Sequence, residues 1–136
     1  MRFDLVDRVV ELQDQRIVTV KAVTQAEEYL GDHFPGFPIL PGVMMLEAMA
    51  QAARRLLAER HGLDHALEIA EARNIRYAGM VRPGEALRVE VDLRGQEDDG
   101  AYAFAGKGLL DGRPVVQGRF RLAPARPDGE NPANPV

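Results

Sequence analysis

Residues 33–53 read HFPGFPILPGVMMLEAMAQAA, and this stretch decides the fold. Its three prolines, Pro35, Pro38 and Pro41, fix their own φ at about −65° and push each preceding residue towards extended conformations. The segment before the last proline therefore cannot be helical, and it forms a rigid platform that aims the imidazole of His33. Pro41 and Gly42 suit the first turn of a helix, so the chain is predicted to become helical there.

The helix that follows is apolar nearly all round. Nine of the eleven residues from Val43 to Ala53 are apolar, and the exceptions, Glu47 and Gln51, are four residues apart and share a face. Such a helix is expected to be buried, which would desolvate Glu47 and let it hold a proton near neutral pH. By themselves a helical glutamate is usually solvated and a loop histidine is usually incidental. Their combination with the proline platform favours a general acid, Glu47, beside a base, His33.

These residues also carry a family resemblance. HFPGFPILPGVMMLEAMAQA resembles the signature of the 3-hydroxyacyl-[acyl carrier protein] dehydratases of type II fatty acid synthesis, which are hotdog-fold enzymes. VDRVVEL and RIVTVKAVT are similar to the family's first two strands, RPGEALRVEV to its turn and strand after the helix, and LLDGRPVVQGRFRL to its final hairpin. The resemblance covers roughly residues 5–122. It implies an α+β hotdog fold, with an antiparallel sheet wrapped around one long central helix.

The resemblance implies dehydration of a (3R)-3-hydroxyacyl thioester to the trans-2-enoyl thioester, without a cofactor or a metal. His33 matches the base that removes the C2 proton, and Glu47 matches the acid that protonates the departing C3 hydroxyl. The backbone N–H groups of Gly42 and Val43 match those near the thioester oxygen, a role that suits the unpaired donors of a helix start. Glu47 favours the plain dehydratases, because relatives that also isomerise the double bond carry Asp there.

Partners follow from the same resemblance. Histidine and carboxylate of one hotdog site come from different protomers, which implies at least a homodimer with shared sites; a trimer of dimers is one assembly of this kind. The substrate is expected to arrive on an acidic acyl carrier protein. Candidates for an acyl tunnel are Phe37, Met44 and Tyr77. Candidates for a basic docking rim are Arg54, Arg76 and Arg82, although a solvated arginine is the commoner role for each.

Two departures from the family pattern bear on the substrate. Asp32 stands where a glycine usually precedes the histidine. Tyr77, Ala78, Gly79 and Met80 stand where an aromatic residue, two basic residues and a proline are common. Without that basic pair, carrier docking is expected to differ from that of the family.

The remaining elements follow from alternation and turn residues. Strands are predicted at about 7–13, 16–23, 67–78, 86–95, 101–110 and 114–122, with a helix at about 42–60 ending before Gly62 and a short helical turn at 25–30. Pro83-Gly84, Asp99-Gly100 and Asp111-Gly112 supply turns. Residues 1–123 are predicted to form one domain. The tail at 124–136, with four prolines, is predicted to be disordered.

Composition excludes several classes of function. The chain has 136 residues, a net charge of −4 and no cysteine. The absence of cysteine excludes disulfides and thiol catalysis, and the negative charge argues against general nucleic-acid binding. No signal peptide or membrane span is recognisable, so we expect a cytoplasmic protein. His61 and His65 have the spacing of a helical metal pair, but Gly62 interrupts it and we expect no metal site.

Two other functions remain open at this point. One is a non-catalytic hotdog subunit that binds acyl chains, against which the presence of both His33 and Glu47 argues. The other is a hotdog thioesterase, which the histidine–proline platform fits poorly.

Overall fold

The structure is a computed structural model that describes residues 4–24, 40–63 and 66–124. Asp32, His33 and Phe37, the predicted turn at 25–30 and the predicted tail beyond Pro124 lie outside the described residues.

One helix and six strands follow one another in the described chain. They are β1 (Arg8–Gln13), β2 (Arg16–Ala22), α1 (Gly42–His61), β3 (Leu67–Tyr77), β4 (Ala86–Gln96), β5 (Tyr102–Leu110) and β6 (Arg113–Pro124). Every predicted end lies within two residues of the observed one. Strand β6 includes Pro124, which was predicted to begin the disordered tail.

The strands form a single antiparallel sheet in the order β1-β2-β4-β5-β6-β3. Hairpins join β1 to β2, β4 to β5 and β5 to β6, whereas the helix carries the chain across the sheet from β2 to the opposite edge at β3. That edge strand is 11 residues long, and among the described residues only β6 pairs with it.

Local sequence explains where the helix begins and ends. Pro41 is the N-cap residue, with φ −59° and ψ 144°, so the chain enters the helix from an extended conformation. Gly62 adopts a left-handed φ of 67°, which glycine tolerates without a steric penalty, and its N–H bonds to the carbonyl of Leu57. Arg60 lies in the last turn, where its positive charge complements the helix dipole.

The core lies between the helix and the concave face of the sheet. Leu87, Val89 and Val91 alternate along β4 and are all fully buried against it. Phe104 and Phe120 stack with ring centroids 5.4 Å apart. The helix packs on β2, β3, β4, β5 and β6. A six-stranded antiparallel sheet curved around one central helix is the hotdog fold, so the predicted fold class is confirmed.

The close approach of β3 to Gly118 on β6 can be tested by substitution. Gly118 lies beside a bulge in β3, between Arg73 and Arg76, where Asn74 has a φ of 55°. A Cβ at Gly118 would lie 2.9 Å from the Cα of Ile75, closer than real Cβ atoms approach a backbone carbon. We therefore expect Gly118→Ala to lower the free energy of unfolding by about 1–3 kcal/mol, measured by urea denaturation at fixed protein concentration.

The neighbouring exposed residue provides the control. Gln117→Ala is expected to change stability by less than about 0.5 kcal/mol. If Gly118→Ala and the wild type had the same free energy of unfolding, the bulge in β3 would leave room for a Cβ at position 118.

Candidate active site

The start of α1 offers two backbone donors that have no acceptor among the described residues. Pro41 O accepts hydrogen bonds from Met44 N at 2.9 Å and from Met45 N at 3.2 Å. Within the described residues, no acceptor faces the N–H of Gly42 or Val43, no side chain caps the helix, and no acidic residue lies in its first turn. These two N–H groups, at the positive end of the helix dipole, suit a partly negative oxygen.

Tyr77, at the end of β3, covers the backbone of Gly42. A Cβ on Gly42 would lie 3.0 Å from Cε1 and 3.2 Å from Cζ of the Tyr77 ring, so glycine allows this close approach. The tyrosine remains 50% exposed. Partial burial raises the pKa of its phenol, which therefore stays protonated at neutral pH. Tyr77 thus adds an apolar ring with a neutral hydroxyl beside the two open N–H groups.

Glu47 lies one helical turn beyond Val43, and its carboxylate is held by two donors on the same helix. Arg54 Nη1 donates to Glu47 Oε2 at 2.9 Å, and Gln51 Nε2 donates to the same oxygen at 3.2 Å. The other oxygen, Oε1, has no hydrogen-bond partner among the described residues. The carboxylate therefore has one fixed oxygen and one open oxygen.

The predicted apolar surround of Glu47 is wrong for the single chain. Its side chain is 35% exposed and is paired with a guanidinium. The predicted alignment with Gln51 is confirmed by their hydrogen bond. The pairing of Glu47 with Arg54 was not predicted, because the two residues are two helical turns apart instead of one. A spacing of seven residues, two helical turns, was the available signal.

The two side chains that donate to Glu47 also form hydrogen bonds with residues outside the helix. Gln51 Oε1 accepts a hydrogen bond from the N–H of Leu5 at 2.8 Å, and Leu5 is fully buried. Arg54 Nε donates to the carbonyl oxygen of Leu67 at 2.6 Å. The side chains around Glu47 therefore join the N-terminal segment, the helix and the first residue of β3.

Of the other predicted site residues, two lie in the first turns of α1 and two lie elsewhere in the fold. Val43 is 63% exposed at the helix start, and Met44 packs partly buried against the core. Arg76 is exposed and lines a cavity of about 460 Å³ on the outer face of the sheet. Arg82 is exposed in the turn between β3 and β4, where its N–H bonds to Glu85.

The described residues contain neither a metal-ligand cluster nor a membrane-spanning helix. Nowhere in 4–24, 40–63 and 66–124 do three or more acidic or histidine side chains gather as metal ligands. The ring of His61 instead lies 2.7 Å from the carbonyl oxygen of Asp14. In the same ranges, no helix combines the length and the hydropathy needed to cross a membrane.

Comparison with known proteins gives one family. The model of the FabA-like domain matches residues 1–119. The 3-hydroxyacyl-[acyl-carrier-protein] dehydratase FabZ of Rhizorhabdus wittichii is 40% identical over 127 residues, which cover 90% of this chain and 80% of that protein. The protein of the same name from Legionella pneumophila is 41% identical over 102 residues, covering 71% of this chain and 68% of that protein.

Solved structures agree on the fold. A chain of the dehydratase heterocomplex ApeI:P from Xenorhabdus doucetiae superimposes with a TM-score of 0.74 and 21% identity, covering 90% of this chain and 84% of that one. Cj0977, a sigma28-regulated virulence protein from Campylobacter jejuni, gives a TM-score of 0.66 and 11% identity over 92% of this chain and 88% of that one. At these identities the likeness shows the fold alone. The family model and the sequence relatives show more: the chain belongs to the FabA-like family.

Proposed function

We propose that this protein removes water from a (3R)-3-hydroxyacyl thioester carried by an acyl carrier protein, giving the trans-2-enoyl thioester for fatty acid or related lipid synthesis. The observation that carries the proposal is the placement of the Glu47 carboxylate one turn beyond two N–H groups that have no acceptor among the described residues. Membership of the FabA-like family and several relatives named FabZ dehydratase support it. We place the reaction in the cytoplasm, where carrier-borne substrates would meet the enzyme.

The reaction needs a base at C2 and an acid at C3. We assign the base to the imidazole of His33, which takes the C2 proton while the electrons of the C–H bond form the C2–C3 double bond. The C3–O bond breaks, and Glu47 gives its proton to the departing hydroxyl, which leaves as water. The carboxylate and the imidazolium that result return to their starting states by net transfer of a proton from His33 to Glu47 through solvent.

The start of α1 is proposed to stabilise the negative charge that develops on the thioester oxygen. As the C2 proton leaves, the thioester oxygen gains enolate character and negative charge. The N–H groups of Gly42 and Val43, which have no acceptor among the described residues, are suited to receive that oxygen, with Tyr77 shielding Gly42 from water on one side. Fixed donors of this kind typically contribute about 3–4 kcal/mol to the transition state.

We propose that the working form is a homodimer in which His33 of one protomer faces Glu47 of the other. The long edge strand β3 supports this, because an edge of 11 residues to which no described strand other than β6 pairs is a ready template for another strand. Val43, Tyr77 and Met80 are large apolar side chains that the single chain leaves 63%, 50% and 42% exposed. A second copy would cover them, and three such dimers are one larger assembly.

Substrate binding is assigned to the surroundings of the helix start. Phe37, Met44 and Tyr77 are proposed to line the acyl tunnel, since Met44 and Tyr77 flank the same helix turn. Arg76 and Arg82 keep exposed side chains and remain proposed for docking the acidic carrier. Arg54 is withdrawn from that role because its guanidinium is engaged by Glu47 and Leu67.

The proposal is tested with purified protein and 3-hydroxyacyl carrier proteins of several chain lengths. We expect enoyl thioester to form, followed by ultraviolet absorbance and by loss of the mass of one water. Release of free acid would instead show a thioesterase. Binding without any turnover at every chain length would show a non-catalytic acyl-binding subunit, and either result would overturn the proposal.

A further inference from the structure

The two donors around Glu47 act on one oxygen only. Arg54 and Gln51 both reach Oε2, while Oε1 receives no hydrogen bond from the described residues. A carboxylate can rotate about its last torsion angle, which is broad and roughly two-fold. Two donors that converge on one oxygen remove that freedom. The other oxygen is then kept pointing away from them.

Arg54 is itself fixed at two points. Its Nε donates to the Leu67 carbonyl at 2.6 Å, and its Nη1 donates to Glu47 at 2.9 Å. The planar guanidinium thus spans from the helix to the first residue of β3. A lysine has a single ammonium on a flexible stem and cannot reproduce both bonds with this fixed geometry.

The neighbouring arginine shows what an ordinary ion pair on this helix looks like. Arg55 pairs with Glu59 at i,i+4, and these side chains are 49% and 42% exposed. Arg54 pairs with Glu47 across two helical turns, and the side chains of this pair are 31% and 35% exposed. The guanidinium also donates a hydrogen bond to the backbone carbonyl of Leu67 in strand β3. The first pattern adds little beyond local helix stability. The second pattern fixes the position of one particular carboxylate.

We propose that Arg54 is a positioning residue for the acid, holding Glu47 Oε2 so that Oε1 carries the proton and faces the substrate. The inference rests on the proposed function and goes beyond it by assigning the proton to one oxygen. In the protonated acid, the oxygen that accepts a charge-assisted hydrogen bond is the poorer place for the proton, so the proton resides on the other oxygen. Arg54 touches neither substrate nor reacting atoms, and acts through Glu47.

A double-mutant cycle tests this role. Arg54→Met is expected to lower kcat roughly 10- to 100-fold, the range of one charge-assisted hydrogen bond, with KM within about threefold of the wild type. In a Glu47→Gln background the same change is expected to alter the remaining rate by less than about twofold, because no acid is left to position. Rates at this level are measured in single turnovers with enzyme in excess.

Three further variants separate positioning from folding. Arg55→Met, on the same helix, is expected to keep kcat within about twofold. Arg54→Lys is expected to remain well below the wild type in kcat, while guanidinium ion added at millimolar concentration is expected to restore part of the activity of a folded Arg54→Ala protein. A merely structural role would show no such recovery.

The outcomes are distinct. An active wild type in which Arg54→Met costs the same factor with and without Glu47 would overturn the positioning role and leave the dehydratase standing. An Arg54→Met protein with the kcat of the wild type would also overturn the positioning role and leave the dehydratase function standing. A folded wild type without dehydratase activity would overturn the proposed function and the positioning role with it.

Discussion

Replacing Glu47 by glutamine is expected to lower the dehydration rate by about 10²–10⁴-fold with little change in stability, the range for loss of a general acid. Glutamine has the same shape and keeps an oxygen that accepts hydrogen bonds from Arg54 and Gln51, so the packing around it is preserved. Its amide does not release a proton to a departing hydroxyl. The loss is therefore chemical and is expected in kcat more than in KM.

The measurement compares enoyl formation by both proteins at saturating substrate, with thermal unfolding recorded alongside. Glu59→Gln serves as the matched control because it makes the same change on the same helix, at a carboxylate that pairs with Arg55 at 2.7 Å. It is expected to keep at least about half of the activity. Dehydration that persists at the wild-type rate in a folded Glu47→Gln protein would remove Glu47 from the mechanism.

Mixing two inactive variants is expected to restore activity to about a quarter of the wild-type level. In a dimer whose sites take His33 from one protomer and Glu47 from the other, a hybrid of His33→Ala with Glu47→Gln has one intact site and one doubly altered site. Equal amounts that pair at random give hybrids as half of all dimers, and each hybrid has half of its sites working.

The experiment requires exchange of protomers, by joint expression with two different affinity tags or by refolding from a common urea solution. Each variant carried through the same treatment alone is the control and is expected to stay inactive. If each site were built within one chain, no mixture would recover any activity. Purified hybrid without activity, beside refolded wild type with full activity, would therefore contradict the shared site.

The fold was largely predictable because the decisive signals are local. Pro41-Gly42 and Gly62 mark the ends of the helix in any context, since one stiffens the entry and the other permits a left-handed exit. The alternation of Leu87, Val89 and Val91 fixes which face of β4 is buried. The order of strands in the sheet was not predicted, since periodicity alone does not set which strands are neighbours.

The candidate site residues on the helix could be predicted from the sequence, whereas the contacts they make with other elements could not. The helix position of Glu47 and its alignment with Gln51 follow from helical spacing. Its pairing with Arg54 does not, because an arginine two turns away has many rotamers and Leu67 becomes its second partner only once β3 is in place. The bulge at Asn74 was also missed, since it depends on how β3 and β6 fit together.

Through the carbonyl of Leu67, strand β3 is connected both to Arg54 and to the proposed dimer interface. This carbonyl accepts the hydrogen bond that anchors Arg54, and it belongs to the edge on which we propose that the second protomer docks. Protomer association and the orientation of the acid are then thermodynamically linked through one strand, and such linkage is reciprocal. An acyl substrate that favours the ordered acid would tighten the dimer, and dilution that separates the protomers would loosen the acid before the fold itself is lost.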